Sequence, residues 1–337
     1  MSDRENLTAE VIIIGAGIAG LTAANELESA GKRVTVIDKG RSVGGRLATR
    51  RVGPGVADHG AQFFTVREAE FQEKVDNWVR SGLVFEWSKG FSDGSLLAEP
   101  AEGNPRYATR GGMNALAKRI AEPLQDVRVN TRIVTATCDE KGWIFQDSEG
   151  DIYTSNALII TAPVPQSMAI LDAGATALSD KDFEQLARIT YAECLCGLFW
   201  VEGRATLPSP GAIQRRNANV IWVGDNQQKG ISKDATLITL QAGEQFSRQM
   251  WTAPDERILN SLQTELQIFI TDDTEIKERQ LKRWRYSRPL VTYPDRYMHA
   301  QAEAPLLLAG DAFGGPRVEG AYLSGLYTGK KMVEMLG

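Results

Sequence analysis

The sequence predicts an α/β protein of two domains, one of them discontinuous, and three observations predict it. The chain opens as strand, helix, strand with short connections: Val11–Ile14, Ala19–Ala30 and Arg33–Asp38. It closes in the same grammar, with apolar "PLLLAGD" (Pro305–Asp311), a loop, and a helical pattern from Val318 to Leu336. Between them lies a long run of alternating, strand-like segments. A chain that starts a parallel sheet, leaves it and returns gives a Rossmann-type domain over 1–65, 106–165 and 300–337. A mixed-sheet second domain then covers 66–105 and 166–299.

Each element has its own reason. Val11–Ile14 is an unbroken aliphatic run, as a strand buried on both faces requires. Gly31 stands where a helix C-cap belongs. From Val66 to Ser81, Phe71, Val75, Trp78 and Val79 fall on one helical face. Short strands are expected at Leu83–Trp87 and Gly94–Ala98, and a helix at Arg110–Leu124, ended near Pro123. "VRVNTRIVTATC", "GWIFQD" and "DIYTSNALIITA" read as antiparallel strands leading into a buried one. Further strands are expected at Ile189–Val201, Asn219–Gly224, Thr236–Gln241 and Gln280–Tyr286, with a helix at Asp255–Ile270.

Composition narrows the function. A net charge of −5 argues against a nucleic-acid partner, whose phosphates would ask for a basic stripe. The start, "MSDRENLTAE", lacks the apolar core of a signal peptide, and no apolar run nears the roughly 20 residues of a membrane span. A cytoplasmic protein is the expectation. Cys138, Cys194 and Cys196 fit a reducing compartment. The last two lie two apart on a predicted strand, hence on one face, as core thiols or alternatively as a redox pair or metal site. With His59 and His299 the only histidines, no zinc constellation is evident, and no metal is expected.

Gly15, Gly17 and Gly20 form G-x-G-x-x-G between the first strand and helix. Gly15 permits the tight turn, Gly17 lets a pyrophosphate approach, and Gly20 lets helix lie close on strand. The helix start at Ile18 and Ala19 offers N–H groups to phosphate. Asp38, ending the second strand, can accept both ribose hydroxyls and repels a 2′-phosphate. A dinucleotide is implied, and NAD and FAD share this half-site. Three features favour FAD. "KGRSVGGR" brings Lys39, Arg41, Gly44, Gly45 and Arg46, for close backbone approach and for charge on the pyrophosphate. "LLLAGDAFGGPRVEGAYLSG" brings Gly310 and Asp311 for ribityl hydroxyls, then Arg317, Val318, Glu319, Gly320 and Ala321 at a helix start that can face flavin N1 and its C2 carbonyl. Gly320, Ser324 and Thr328 form a small-residue stripe on that helix. "DHGAQFF" (Asp58–Phe64), small residues beside aromatics, suits an isoalloxazine ring.

In order along the chain, "GAGIAGL", "GGR", "GAQFF" and "GD…RVEGAYLSG" resemble the FAD-dependent amine-oxidase superfamily. "DHGAQFFT" and "RWRYSRP" (Arg283–Pro289) are similar to its renalase-like branch. The resemblance implies a p-hydroxybenzoate-hydroxylase-like fold and non-covalent FAD. It also implies contacts from His59, Gly60, Ala61, Gln62, Ile133 and Ala162 to the cofactor. Relatives tend to carry an aliphatic residue at the position of His59, where covalent attachment is the lesser alternative to a local hydrogen bond. For the branch it implies a small-molecule substrate, the 2- and 6-dihydro isomers of NAD(P), oxidised by hydride transfer to flavin N5, with dioxygen giving hydrogen peroxide. An amine oxidase, a desaturase, or a flavin-binding protein without turnover are the alternatives. Phe63, Phe64, Trp284 and Tyr286 are the candidate catalytic wall, with Trp200 and Trp222 as wall or core. Arg215, Arg216, Arg283, Arg285 and Arg288 are candidate cations for a phosphate-bearing substrate. Many relatives also carry a lysine that positions water near the flavin; none is singled out by this sequence, and Lys282 is noted only for sharing a strand face with Trp284 by alternation.

Overall fold

The computed structural model describes residues 7–94 and 103–337. Its contacts divide them into two units, 1–45, 117–190 and 289–337 against 46–116 and 191–288. Compared with the sequence expectation, 46–65 and 106–116 pack in the second unit, and 166–190 and 289–299 in the first. The stretch 46–65 moves because it forms a hairpin, Thr49–Val52 with Gly55–Asp58, whose Val52 and Ala57 share a core with Leu198 and Leu237.

The first unit is built on an eight-stranded mixed sheet. Leu7–Ile14 pairs in parallel with Ile152–Ile160 on one side and Val34–Ile37 on the other. Leu306–Leu308 joins Ile152–Ile160 in parallel, which is how the chain re-enters the sheet. Val11, Ile12 and Ile13 are wholly buried. Each such side chain contributes roughly 1.5–3 kcal/mol by burial. The helix Ile18–Ser29 packs on the final helix, Val318–Leu336, at glycines. A Cβ at Gly325 would lie 2.1 Å from the Ala19 oxygen, and one at Gly329 would lie 2.9 Å from the Ala23 oxygen. The close face is thus Gly325 and Gly329, one position round from the expected stripe. Ser324 instead accepts from Gly310 N at 2.8 Å, and Thr328 donates to the Ser324 carbonyl.

The second unit carries a five-stranded sheet in the order Ala212–Gln214, Val220–Asp225, Thr236–Ala242, Tyr191–Glu202, Glu275–Pro289. Alternation along Tyr191–Glu202 sends Leu195, Phe199 and Val201 to one core, with the helix Asp255–Leu266. It sends Cys196, Leu198 and Trp200 to the other, under the hairpin. Cys194 and Cys196 are buried thiols; burial pushes Cys194 up to about 12 and Cys196 well above its ordinary value.

Several boundaries shift for local reasons. The expected strand from Val127 breaks at Asn130, whose φ is +56°, into Val127–Arg128 and Ile133–Asp139. The helix expected from Arg110 begins at Asn114, because Gly111 and Gly112 adopt φ of +80° and +96°. Helices at Val164–Ala173, Asp180–Ala187 and Glu244–Gln249 went unread, as did the strand Arg106–Thr109. Of the strand expected at Gly94–Ala98, only Gly94 is among the described residues, and it lies in a bend. No described helix is long and apolar enough to cross a membrane.

Candidate cofactor and substrate site

In the first unit the glycine turn is assembled from three chain segments. Gly15 adopts φ +115°, which favours glycine, and a Cβ there would lie 2.5 Å from Thr161 Oγ1. Thr161 Oγ1 donates to the Gly15 carbonyl at 3.0 Å and its N–H to the Ile14 carbonyl at 2.8 Å, so Ala162 sits beside the turn. Thr161 was missed in the sequence because it ends a strand remote from the motif. Gly20 is a packing glycine: its Cβ would lie 2.0 Å from the Gly15 oxygen. Gly17 is different, since a Cβ there would meet nothing within 4 Å. Gly44 N donates to the Ala16 carbonyl at 2.7 Å, and the nearest atom to a Cβ on Gly45 is Gly17 Cα at 3.6 Å. Ile18 and Ala19 open the helix behind this turn.

Asp38 sits beside the turn. Its Oδ2 accepts from Ala16 N at 2.7 Å and its Oδ1 from Gly40 N at 2.6 Å. Each oxygen keeps a further lone pair for a ribose hydroxyl. Thr131 N donates to the Asp38 carbonyl at 2.9 Å, and buried Ile133 follows two residues on. Arg41 is exposed, and Lys39 Nζ donates to Gln166 Oε1 at 2.6 Å. At the far end, Gly310 has φ +126°, Asp311 is half-buried and Arg317 is the exposed N-cap residue of the final helix, which begins at Val318. Glu319 and Ala321 are buried. Gly320 fits its Cα against the loop, its Cβ position being 2.2 Å from the Gly15-like carbonyl of Gly315, while a Cβ on Gly315 itself meets open space. Open space at Gly17, beside the Asp38 carboxylate and a helix start, fits the pyrophosphate side of a dinucleotide, and Gly315 offers a second open space ahead of the final helix.

In the second unit, the segment Asp58–Phe64 is held by side chains. The buried Asp58 carboxylate accepts from Thr49 Oγ1 at 2.5 Å, Met113 N at 2.8 Å and Lys229 Nζ at 2.6 Å. The carbonyls of 58, 59, 60 and 62 all accept side-chain donors: Thr239 and Gln62, Trp284, Gln241 and Gln62, and Lys229. Gly60 leaves no room for a side chain, with the Arg46 oxygen 2.0 Å from a Cβ, and Ala61 N donates to that same oxygen at 2.8 Å.

His59 is 7% exposed and stacks on Trp284 with ring centroids 5.4 Å apart. Its Nδ1 is buried without a hydrogen-bond partner. Burial, then the charges of Lys282 and Arg50, lower its pKa from 6.5 to about 4, so the ring is neutral at pH 7. Lys282 Nζ lies 5.0 Å from the Trp284 ring centroid. Arg46 donates to the Tyr286 carbonyl at 3.3 Å, and Tyr286 meets Tyr191 edge-on at 5.5 Å.

Two sequence expectations need correction. Phe64 is core rather than wall: it is 3% exposed and packs on Phe71 and Tyr107, because alternation turns it away from Phe63. Phe63 packs with Phe91 and Trp222 instead, under the Arg106 guanidinium. The cations also differ. Arg283 pairs with Asp255 and the Ala253 carbonyl, Arg285 lies over Trp251, and Arg215 pairs with Glu265. Arg283 and Arg285 alternate with Trp284 along the strand, whereas Lys282 and the expected Arg288 share its face, and Arg46 bonds to the Tyr286 carbonyl.

Comparison with known proteins bears on fold and family. Residues 13–78 match an NAD(P)-binding Rossmann-like domain. The fold is similar to that of putrescine oxidase, solved with putrescine bound, at a TM-score of 0.71 and 16% identity over 98% of this chain and 100% of that one. Short stretches match an L-amino-acid oxidase of Siganus canaliculatus (50% identity over 46 residues, 14% of this chain) and a hydroxyneurosporene desaturase of Rubrivivax gelatinosus (42% over 60 residues, 18% of this chain). They span only 9% and 11% of those proteins' lengths. Residues 80–330, most of the chain, match the flavin-containing amine oxidoreductase model, so the chain belongs to that family, and its cofactor is FAD.

Proposed function

We propose that the chain is an oxidase of dihydronicotinamide isomers, the 2- or 6-dihydro forms of NAD(P), with dioxygen as the electron acceptor. The observation that carries this reading is the character of the Trp284–Tyr286 strand end. It is aromatic and cationic: Lys282 lies over the Trp284 ring, and the charges of Lys282 and Arg50 add to burial in lowering the His59 pKa. Such a surface suits a planar ring bearing phosphates and opposes a protonated amine.

FAD supplies a two-electron acceptor at N5, from which dioxygen and a proton yield hydrogen peroxide. The residues bind and orient. Asp38 would take the adenosine ribose; Gly17, Gly44, Gly45 and Arg41 would admit the pyrophosphate. Asp311 would take ribityl hydroxyls, and the helix start at Val318 would stabilise negative charge on the reduced flavin. Phe63, Trp284 and Tyr286 would hold the dihydropyridine and exclude water. A dihydropyridine becomes aromatic by losing hydride alone, so no general base is needed.

Amine oxidation is the second reading, favoured by the L-amino-acid oxidase match. Anaerobic stopped-flow mixing tests both. Bleaching of the flavin by 6-dihydro-NAD, with putrescine, benzylamine and L-amino acids inert, is the expected result. Bleaching by an amine alone reverses the order of the readings. Bleaching by none of these leaves a flavin carrier.

A further inference from the structure

We propose that Arg296 and Ser324 are positioning residues: with Tyr293 they strap the Gly310–Gly315 loop, and so set how that loop meets FAD. This rests on the reading that Asp311 and the helix start at Val318 hold the flavin end of the cofactor. Strap, loop and helix all belong to the first unit. The loop has little to hold its own shape. Gly310, Gly314 and Gly315 adopt φ of +126°, +76° and +149°, and a Cβ on Gly315 would meet nothing within 4 Å. Glycine has the most backbone entropy to lose, so such a loop keeps one conformation only where bonds from elsewhere hold it.

Those bonds come from residues 293–296 and from the final helix. Tyr293 N donates to the Ala312 carbonyl at 2.7 Å, and the Tyr293 carbonyl accepts from Gly314 N at 3.0 Å. Arg296 Nη1 donates to the Gly314 carbonyl at 3.3 Å, and a Cβ on Gly314 would lie 2.8 Å from Arg296 Cδ, so the arginine stem lies against the loop. Ser324 Oγ accepts from Gly310 N at 2.8 Å and donates to the Arg296 carbonyl at 2.5 Å. Both ends of the loop are therefore tied to one short segment. Ser324 is wholly buried in the final helix. Alanine would fill that space and suit a helix better, so what serine adds is the two bonds. Beyond the strap, Arg317 N donates to the Gly315 carbonyl at 3.1 Å, and Gly320 makes its close approach to the same oxygen, which carries the path of the loop on to the helix start. A loop already held in one shape need not be ordered when the cofactor binds.

The test compares Ser324→Ala, Arg296→Met, Arg296→Lys and Asp311→Ala in the full chain. The FAD dissociation constant, the reduction potential of the bound flavin and hydrogen exchange of the Gly310 and Gly314 amides are read on each. Ser324→Ala removes both of its bonds and no charge, so it separates positioning from the field of a cation. Ser324→Ala and Arg296→Met should each speed exchange of those amides and weaken FAD binding at least about tenfold, and should move the potential to more negative values. Arg296→Lys keeps a donor for the Gly314 carbonyl and should return the affinity to within about threefold of the parent. Parental exchange in Ser324→Ala overturns the proposal, and so does faster exchange with parental affinity and potential, which would leave the strap serving the fold alone. Loss of fold in Ser324→Ala also overturns it, and no recovery in Arg296→Lys removes Arg296 from it. Asp311→Ala tests the reading beneath: weaker FAD binding there, beside a parental Ser324→Ala, sinks the strap alone, whereas parental affinity in Asp311→Ala sinks the placing of the cofactor and the strap with it. No substrate enters these measurements, so the dihydronicotinamide reading stands or falls separately.

Discussion

The glycine turn of the first unit and the Asp58–Gln62 segment of the second reach a fixed backbone shape by opposite means. The turn does it by subtraction. Gly15 and Gly20 omit side chains where Thr161 Oγ1 and a carbonyl stand, and the bonds are mostly main chain to main chain. The segment does it by addition, with Thr49, Gln62, Lys229, Thr239, Gln241 and Trp284 donating into it. The first device is local in sequence and cheap in desolvation. The second is non-local and buries charge, so its failure modes differ.

The largest effect is expected at the first device's packing glycine. In Gly20→Val the Cβ would lie 2.0 Å from the Gly15 oxygen, and no rotamer relieves a clash at Cβ. Urea unfolding should show a loss above about 5 kcal/mol, or no folded protein at all. A folded, FAD-bearing Gly20→Val within about 1 kcal/mol of the parent would mean that helix and strand are not held together as described.

Next comes the second device's charge pair. Lys229→Met leaves Asp58 buried and unpaired except for its neutral donors, which should cost roughly 3–5 kcal/mol. Adding Asp58→Asn should return much of it. A double variant no more stable than the single would show that the charges do not stabilise each other.

That contrast also explains how much was legible. G-x-G-x-x-G with Asp38 lies within one strand–helix–strand unit, so spacing alone revealed it, and the re-entrant strand at Leu306–Leu308 announced itself by its apolar run. Lys229 sits in "DNQQKGISKD", a polar turn where lysine ordinarily meets water, and its partner is 171 residues away. Nothing local marks it. The hairpin at Thr49–Asp58 was hidden because its first strand exposes both arginines and shows no clean alternation. The wall was half legible: Phe63 and Phe64 look alike in sequence, and only the bridge from Phe64 to Tyr107 decides which one turns inward. Of the expected cations, strand parity places Arg283 and Arg285 opposite Trp284 and leaves Arg288 on its face, whereas Arg46 and Arg50 come from a distant stretch of chain.

A third prediction sharpens the comparison through pH. His59 has a folded-state pKa of about 4 against an ordinary 6.5, so the unfolded chain binds its proton first. Its contribution to stability is fully present above pH 6.5 and is lost as pH falls towards 4, up to about 3 kcal/mol. His59→Gln should abolish that part of the slope, measured by urea unfolding at pH 7.5 and pH 4.5. An identical slope in the variant would place the imidazole in water.

The smallest effect on stability, and the most informative about the cradle, belongs to Gly17→Ala. Gly17 has φ −75° and ψ 175°, a conformation alanine adopts readily, and its Cβ would meet no atom within 4 Å. The FAD-free protein should therefore unfold within about 0.5 kcal/mol of the parent. The space the methyl enters is where a pyrophosphate would approach the helix start, and filling it should weaken FAD binding at least about tenfold, or roughly 1.4 kcal/mol. Gly20 and Gly17, three residues apart in one motif, would then separate cleanly: one required by the fold, the other by the ligand. Equilibrium dialysis of FAD against both proteins makes the measurement. Parental affinity in Gly17→Ala would mean that the phosphates pass elsewhere and that the open space at Gly17 is incidental; lost stability in the FAD-free variant would make Gly17 a packing glycine like its neighbour.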